Sequence, residues 1–232
     1  MSNKPILEVE KLNVGYQTKD GEIHAVQDVS FKVFSNEVFG IAGESGCGKS
    51  TLIKAIMRLL PENGKMDAHS IKYKDQKIDR MSENIFRNEV LWAQISLVPQ
   101  SAMNSLNPVY KVGEQIVEAI QAHTSQGKKE ARERVEELFD VVGLQSEFMD
   151  SFPHEFSGGM RQRAMIAMAL ALDPGLIIMD EPTTGLDVLV QEKILRRIRE
   201  IRKQIRSSII LITHDIAVIA EMSDRIAVMY GG

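Results

Sequence analysis

The chain predicts an α/β fold in which a mixed core sheet carries flanking helices, an antiparallel β subdomain and an inserted helical subdomain. Three observations carry this. Apolar residues alternate over 7–33 around the hairpin-type dipeptide Asp20-Gly21, the pattern of an antiparallel meander. Beyond residue 158, helical stripes and short apolar strand runs alternate, which implies parallel strands joined by helices. Between them, from Pro108 to about Asp150, two helical stripes rich in Glu and Arg interrupt the strands.

Taken in order, Leu7, Val9, Leu12 and Val14 mark the first strand, and Val26, Val29, Phe31 and Val33 the second, closed by Ser35-Asn36. Val38, Phe39, Gly40, Ile41 and Ala42 read as a buried strand feeding a glycine-rich turn. The helix after it is expected over 50–60, with Leu52, Ile53, Ile56, Leu59 and Leu60 apolar and Pro61 as its stop. The inserted segment shows Val112, Ile116 and Ile120 on one helical face, then Ala131, Val135, Leu138, Phe139 and Val142 on another. A helix over 158–172, a strand over 176–179, a helix over 188–206, a strand over 209–213, a short helix and a strand over 226–230 complete the reading. The helix over 188–206 rests on Ile194, Ile198, Ile201 and Ile205, spaced by four, three and four.

Composition narrows the function. At 232 residues, 44% hydrophobic and 26% charged, the chain has ordinary globular usage, which excludes disordered, collagenous and low-complexity classes. Its longest purely apolar run, Ala164 to Leu172, is nine residues, half of what a bilayer requires, and the N-terminus has no signal-peptide core. The reading is a chain that neither spans a membrane nor is exported. One cysteine forms neither an internal disulfide nor a four-ligand zinc site, and the five histidines are scattered. A net charge of −4 offers no polycationic surface for nucleic acid.

Two motifs carry phosphate chemistry. Gly43-Glu44-Ser45-Gly46-Cys47-Gly48-Lys49-Ser50 matches the phosphate-loop pattern between a strand and a helix, with Thr51 next in the helix. Its glycines let successive N–H groups turn inward onto an anion, the helix adds its dipole, Lys49 reaches the β and γ phosphates, and Ser50 ligates Mg²⁺. Leu176-Ile177-Ile178-Met179-Asp180-Glu181 is an apolar strand ending in two acids. Asp180 is placed to hold the Mg²⁺ hydration shell, and Glu181 to polarise a water against the γ phosphate.

Phe156-Ser157-Gly158-Gly159-Met160-Arg161-Gln162-Arg163 selects among phosphate-loop proteins. It opens a helix with a second set of outward N–H groups, although one ATP already has its phosphates held by the first loop, so the natural ligand is the ATP of a second chain. A plain helix start, capped by Ser157, fits the same residues.

On these motifs, in this order over nearly the whole chain, the sequence resembles the ATP-binding subunits of ABC transporters, phosphate-loop NTPases of ABC type. The resemblance implies a dimer that sandwiches two ATPs, with Ser157, Gly158, Gly159 and Met160 acting in trans. It implies adenine stacking for Tyr16 in Val14-Gly15-Tyr16, although a strand aromatic can also simply pack. Gln100 in Leu97-Val98-Pro99-Gln100 resembles the glutamine that contacts Mg²⁺ and the attacking water. Asp187 resembles the loop that crosses the dimer interface, and His214 in Ile212-Thr213-His214-Asp215 the switch histidine near the γ phosphate. Cys47, at a helix N-terminus, is expected to have a lowered thiol pKa and to block nucleotide when alkylated, or to be only a small filler.

The subfamily implied is the dipeptide and oligopeptide importers. It rests on Ser101-Ala102-Met103-Asn104-Ser105-Leu106-Asn107-Pro108, on Phe152-Pro153-His154-Glu155, on Asp187-Val188 with Gln191, and on Met160 in place of the commoner glutamine. Asn36 and Gly185 depart from commoner glycine and alanine. The resemblance implies an ATPase that powers peptide import, with ATP and Mg²⁺ as cofactors. Its expected partners are a paralogous ATPase subunit or a second copy, two membrane permease subunits and, indirectly, an extracellular solute-binding protein, with no nucleic acid. Its expected place is the cytoplasmic face of the membrane.

Alternatives are an ABC ATPase of another importer or one outside transport. The chromosome and repair type would need a long coiled coil in the roughly 130 residues between loop and acidic strand, where no heptad run occurs. A tandem translation factor would need a second module, and a silent regulatory module would lack Glu181 or His214. One nucleotide-binding domain is expected over 1–232, with the helical subdomain at about 101–150 inside it. The stop at Gly231-Gly232, right after an apolar run, leads to the expectation of a C-terminal extension beyond it.

Overall fold

The structure, a computed structural model, describes residues 4–100 and 102–232, without the side chain of Met103. Ser101, one of the residues on which the subfamily resemblance rests, lies outside the described residues, as does the Met103 side chain. In chain order the elements are β1 (Pro5–Thr18), β2 (Gly21–Phe34), β3 (Val38–Gly43), α1 (Lys49–Ile56), β4 (Gly64–Asp67), β5 (Ser70–Tyr73), β6 (Gln76–Lys77) and a one-turn α2 (Glu83–Ile85). They continue with β7 (Ile95–Val98), α3 (Val112–His123), α4 (Lys128–Val142), α5 (Gly158–Leu170), β8 (Leu176–Asp180), α6 (Val188–Gln204), β9 (Ser208–Ile212), α7 (Ile216–Met222) and β10 (Arg225–Met229). The α/β expectation holds, with antiparallel and parallel pairing both present.

The chain divides into two compact units, one of residues 1–91 with 208–232 and one of residues 92–207. In the first, β1 pairs antiparallel with β2, β4 and β5, and β5 with β6. Leu7, Val9, Leu12 and Val14 are all buried, as the strand reading requires. Parallel strands β10, β3 and β9 form its other sheet, with β3 in the middle and Ile41 opposite Ile212. β3 is buried along Val38 to Ala42, which explains its unbroken apolar run.

Two local expectations shift here. Thr18 pairs with Gly21, so the two-residue hairpin loop is Lys19-Asp20, and Gly21 at φ 128° opens β2 instead of sitting in the turn. The helix expected over 50–60 ends at Ile56, well before Pro61. Arg58 takes a left-handed backbone at φ 54°, which ends the helix, and Leu59 is left exposed.

In the second unit, β7 and β8 pair in parallel, with Val98 opposite Met179. The two helical stripes of the sequence become α3 and α4, which bury Val112, Ile116 and Ile120, and Ala131, Val135, Leu138, Phe139 and Val142. Gly143 ends α4 at φ 71°, a left-handed cap that a side chain would strain. On α6 the buried stripe is Ile194, Leu195, Ile198 and Ile201, each worth about 1.5–3 kcal/mol relative to exposure. Among the described residues no helix is long and apolar enough to cross a membrane.

Candidate functional site

In the first unit, the phosphate loop and His214 follow the carboxyl ends of parallel strands β3 and β9, where open α/β sheets place their ligands, while Tyr16 lies within antiparallel β1. β3 runs straight into the loop 43–48 and α1 starts at Lys49. Gly48 caps α1 at φ 103°, and a Cβ there would lie 2.3 Å from the Ala25 carbonyl oxygen. Only glycine fits both demands. No side chain caps α1, so its first N–H groups keep their capacity for an anion.

Lys49 is buried, and its ammonium donates to the carbonyl oxygens of Gly43 and Glu44, both at 2.8 Å. The loop's own main chain therefore orients this charge, a contact the sequence does not disclose. Cys47 is also buried, its sulfur 3.7 Å from Lys49 Nζ.

Tyr16 donates to Thr51 Oγ1 at 3.3 Å, and its ring lies against Gly64, where a Cβ would come within 3.0 Å. The aromatic and the loop helix are thus joined directly. His214 follows β9 and is exposed. It stands between two anchored neighbours: Thr213 Oγ1 accepts from the Asp215 N–H at 3.1 Å, and Asp215 caps α7 by accepting from Ala217 N at 2.9 Å and Val218 N at 3.2 Å.

In the second unit, Gln100 follows β7 and Glu181 follows its parallel neighbour β8, which puts both side chains at one strand edge. Gln100 Nε2 donates to Glu181 Oε2 at 3.0 Å, and Thr184 Oγ1 donates to the same oxygen at 2.8 Å. Two donors on one oxygen fix the carboxylate rotamer. Glu181 itself has a left-handed backbone at φ 49°, a conformation that costs a non-glycine residue about 1–3 kcal/mol. Asp180, the last residue of β8, is buried. Thr184 is the residue that sequence reasoning passed over as a holder of Glu181. A hydroxyl three residues after an acid that ends a strand is the available signal.

Ser157 caps α5, its hydroxyl accepting from Met160 N at 3.3 Å. The capped-start reading is therefore correct, and it leaves any role in trans open. Gly159 is buried where a Cβ would lie 2.6 Å from Val190 Cγ1, so the start of α5 packs closely on α6. Asp187 caps α6 by accepting from Val190 N at 3.0 Å, while Gln191 Nε2 ties the loop by donating to Thr183 O and Leu186 O, both at 3.1 Å. The next two residues, Val188 and Leu189, are 77% and 70% exposed, an apolar step directly after the loop.

The lysine and uncapped amides of the first unit form a donor set that fits a polyphosphate. Comparison with known proteins agrees. Residues 26–184 match the family model described as ABC transporter, and residues 152–220 match one described as AAA domain, putative AbiEii toxin, Type IV TA system. The chain is 44% identical over 98% of its length to the dipeptide transport ATP-binding protein DppD of Bacillus subtilis, covering 68% of that protein. It is also 44% identical over 98% of its length to the oligopeptide transport ATP-binding protein OppD of the same organism, covering 64%. The chain thus spans about two thirds of the length of these relatives. Among solved structures it is similar to the ATP-binding cassette MJ0796, a dimer bound to ADP and Pi, at TM-score 0.82 and 27% identity, covering 97% of this chain and 95% of that one. It is likewise similar to cbiO1 of Clostridium perfringens, part of the ABC transporter complex cbiONQ, at TM-score 0.78 and 29% identity, covering 98% and 86%.

Proposed function

The chain belongs to the ABC transporter family and is an ATPase, and from that premise we propose that it powers uptake of di- or oligopeptides through a separate membrane permease. The observation that carries this reading is the likeness, over nearly the full chain, to two ATP-binding proteins named for peptide transport. The chain is proposed to work peripherally on the cytoplasmic face of the membrane, as one nucleotide-binding domain over 1–232 with its helical subdomain at about 101–150. Its partner is a paralogous ATPase subunit or a second copy, beside two permease subunits and an extracellular solute-binding protein.

The roles follow from residue chemistry and the family motif. Tyr16 stacks on adenine, and Thr51, pinned to it, keeps that ring in place. Lys49 exchanges a loop carbonyl for phosphate oxygens while the amides of 43–51 hold the rest of the anion. Ser50, Gln100 and, through water, Asp180 would hold Mg²⁺, which when bound neutralises the charge developing between the β and γ phosphates. Glu181 orients the water that attacks the γ phosphorus as the bond to the β-phosphate oxygen breaks, giving ADP and phosphate. His214 donates to the γ phosphate, and Ser157, Gly158, Gly159 and Met160 serve the partner's ATP. Asp187 crosses the dimer interface. Because part of the stabilisation is supplied in trans, turnover depends on dimer closure.

Reconstituting the chain with its permease and binding protein in liposomes tests the reading. Peptides should stimulate ATP hydrolysis several-fold. Stimulation by another solute class, with peptides inert, would overturn the substrate assignment.

A further inference from the structure

Within the unit of residues 92–207, a cavity of about 480 Å³ lies between the end of α4, the start of α5 and the middle of α6. Four of its lining side chains are cationic, Arg163, Lys193, Arg196 and Arg197, and a single one, Glu200, is acidic. Such a cluster is at odds with a chain of net charge −4, because like charges gathered around one concavity repel and must be held there.

The fold holds them mainly by carbonyl groups. Arg163 Nη1 donates to Gly143 O at 2.5 Å and Nε to Gly159 O at 3.3 Å, while Arg197 Nη2 donates to Asp140 O at 2.6 Å. A carbonyl orients a guanidinium without cancelling its charge. Glu200 is shared between Arg197 at 2.8 Å and Arg196 at 3.4 Å. Lys193 has no ion-pair partner among the described residues, and Arg197 Nε is buried with no acceptor. Burial, with the Arg197 charge beside it, lowers the Arg163 pKa, the direction expected where positive charge is in excess.

We propose that this cavity binds a phosphate-bearing anion. A phosphate offers about −1.5 to −2 charges and three acceptor oxygens, enough to engage the exposed Lys193 ammonium and Arg196 guanidinium together. The volume, within the range of about 300–1,000 Å³ usual for small-molecule sites, leaves room for an organic group on that phosphate. The phosphate loop shares none of these residues. Ser157 and Gly159 form one wall, but Arg196 and Arg197 sit further along α6, roughly 10 Å beyond Val190 at 1.5 Å per residue.

Calorimetric titration of the full chain carrying Lys49→Ala, which cripples the phosphate loop, tests this with inorganic phosphate, pyrophosphate and glycerol 3-phosphate as separate probes. At least one should bind with a Kd below about 1 mM. Lys193→Glu should weaken that binding about ten-fold or more and Lys193→Arg should preserve it, with thermal melts no lower, because Lys193 has no ion-pair partner among the described residues to lose. The ranking of the probes separates the free ion from a phosphate ester. As a second measurement, the same binding in the unmutated chain should persist under a saturating non-hydrolysable ATP analogue. Binding by none of the three, binding indifferent to Lys193→Glu, or displacement by the analogue would overturn the proposal, and none of these outcomes bears on peptide transport.

Discussion

Thr184 Oγ1 donates a 2.8 Å hydrogen bond to Glu181 Oε2, the oxygen that also receives Gln100 Nε2 at 3.0 Å. If Glu181 orients the attacking water, Thr184 positions it without touching the substrate. Thr184→Val keeps the shape and removes the donor, so it should lower kcat about ten-fold while leaving KM for ATP nearly unchanged. Thr184→Ser should restore most of the rate. A Val variant that changes KM alone would show that the bond does not serve the chemical step.

Replacing the carboxylate itself gives a sharper outcome. Glu181→Gln should still bind ATP, hydrolyse it about 100-fold more slowly or worse, and accumulate as a closed dimer on size-exclusion chromatography. Near-normal turnover would remove Glu181 from the role assigned to it.

Gly48 tests the loop from the side of stability. Alanine there would hold φ 103° under strain with its Cβ 2.3 Å from the Ala25 carbonyl oxygen. Gly48→Ala should cost about 2 kcal/mol or more, lower Tm by several degrees and weaken ATP binding together. A variant with unchanged Tm would show that the backbone relaxes at no cost.

On the outer sheet of the first unit, Glu8 lies between Lys32 and Lys72, the latter 3.2 Å away. Hydrogen bonds from the two lysines, Lys32 first, hold its carboxyl pKa below the ordinary value. A lowered carboxyl pKa stabilises the fold above the unfolded value, and that contribution fades as pH falls through the folded one. Glu8→Gln should therefore melt about 1–3 °C lower than the unmutated chain at pH 7, and the gap should shrink as pH falls below the ordinary carboxyl range and close once the folded carboxyl is protonated. A gap independent of pH would point to packing instead of charge.

What the sequence disclosed and what it withheld divide along a physical line. The phosphate loop, the acidic strand end and the serine cap of α5 were legible because their chemistry is local: neighbouring residues set the turn, the strand and the cap. Arg58 was not legible as the stop of α1, since left-handed arginine has no sequence signature and Pro61 offered a more familiar one. Nor was the Lys19-Asp20 loop, where the register of β1 on β2 overrode the usual Asp-Gly turn. The ammonium of Lys49 turned onto Gly43 and Glu44, and the four cations around one cavity, depend on how separate segments meet. No periodicity encodes that.

The left-handed backbone of Glu181 has a consequence for anyone engineering this protein. Its conformational cost, about 1–3 kcal/mol, is recovered by Glu181→Gly, which accepts the same dihedral without strain. A library screened for heat resistance alone would thus be drawn toward a position whose carboxylate the proposed chemistry requires, and its hardiest members would be inert.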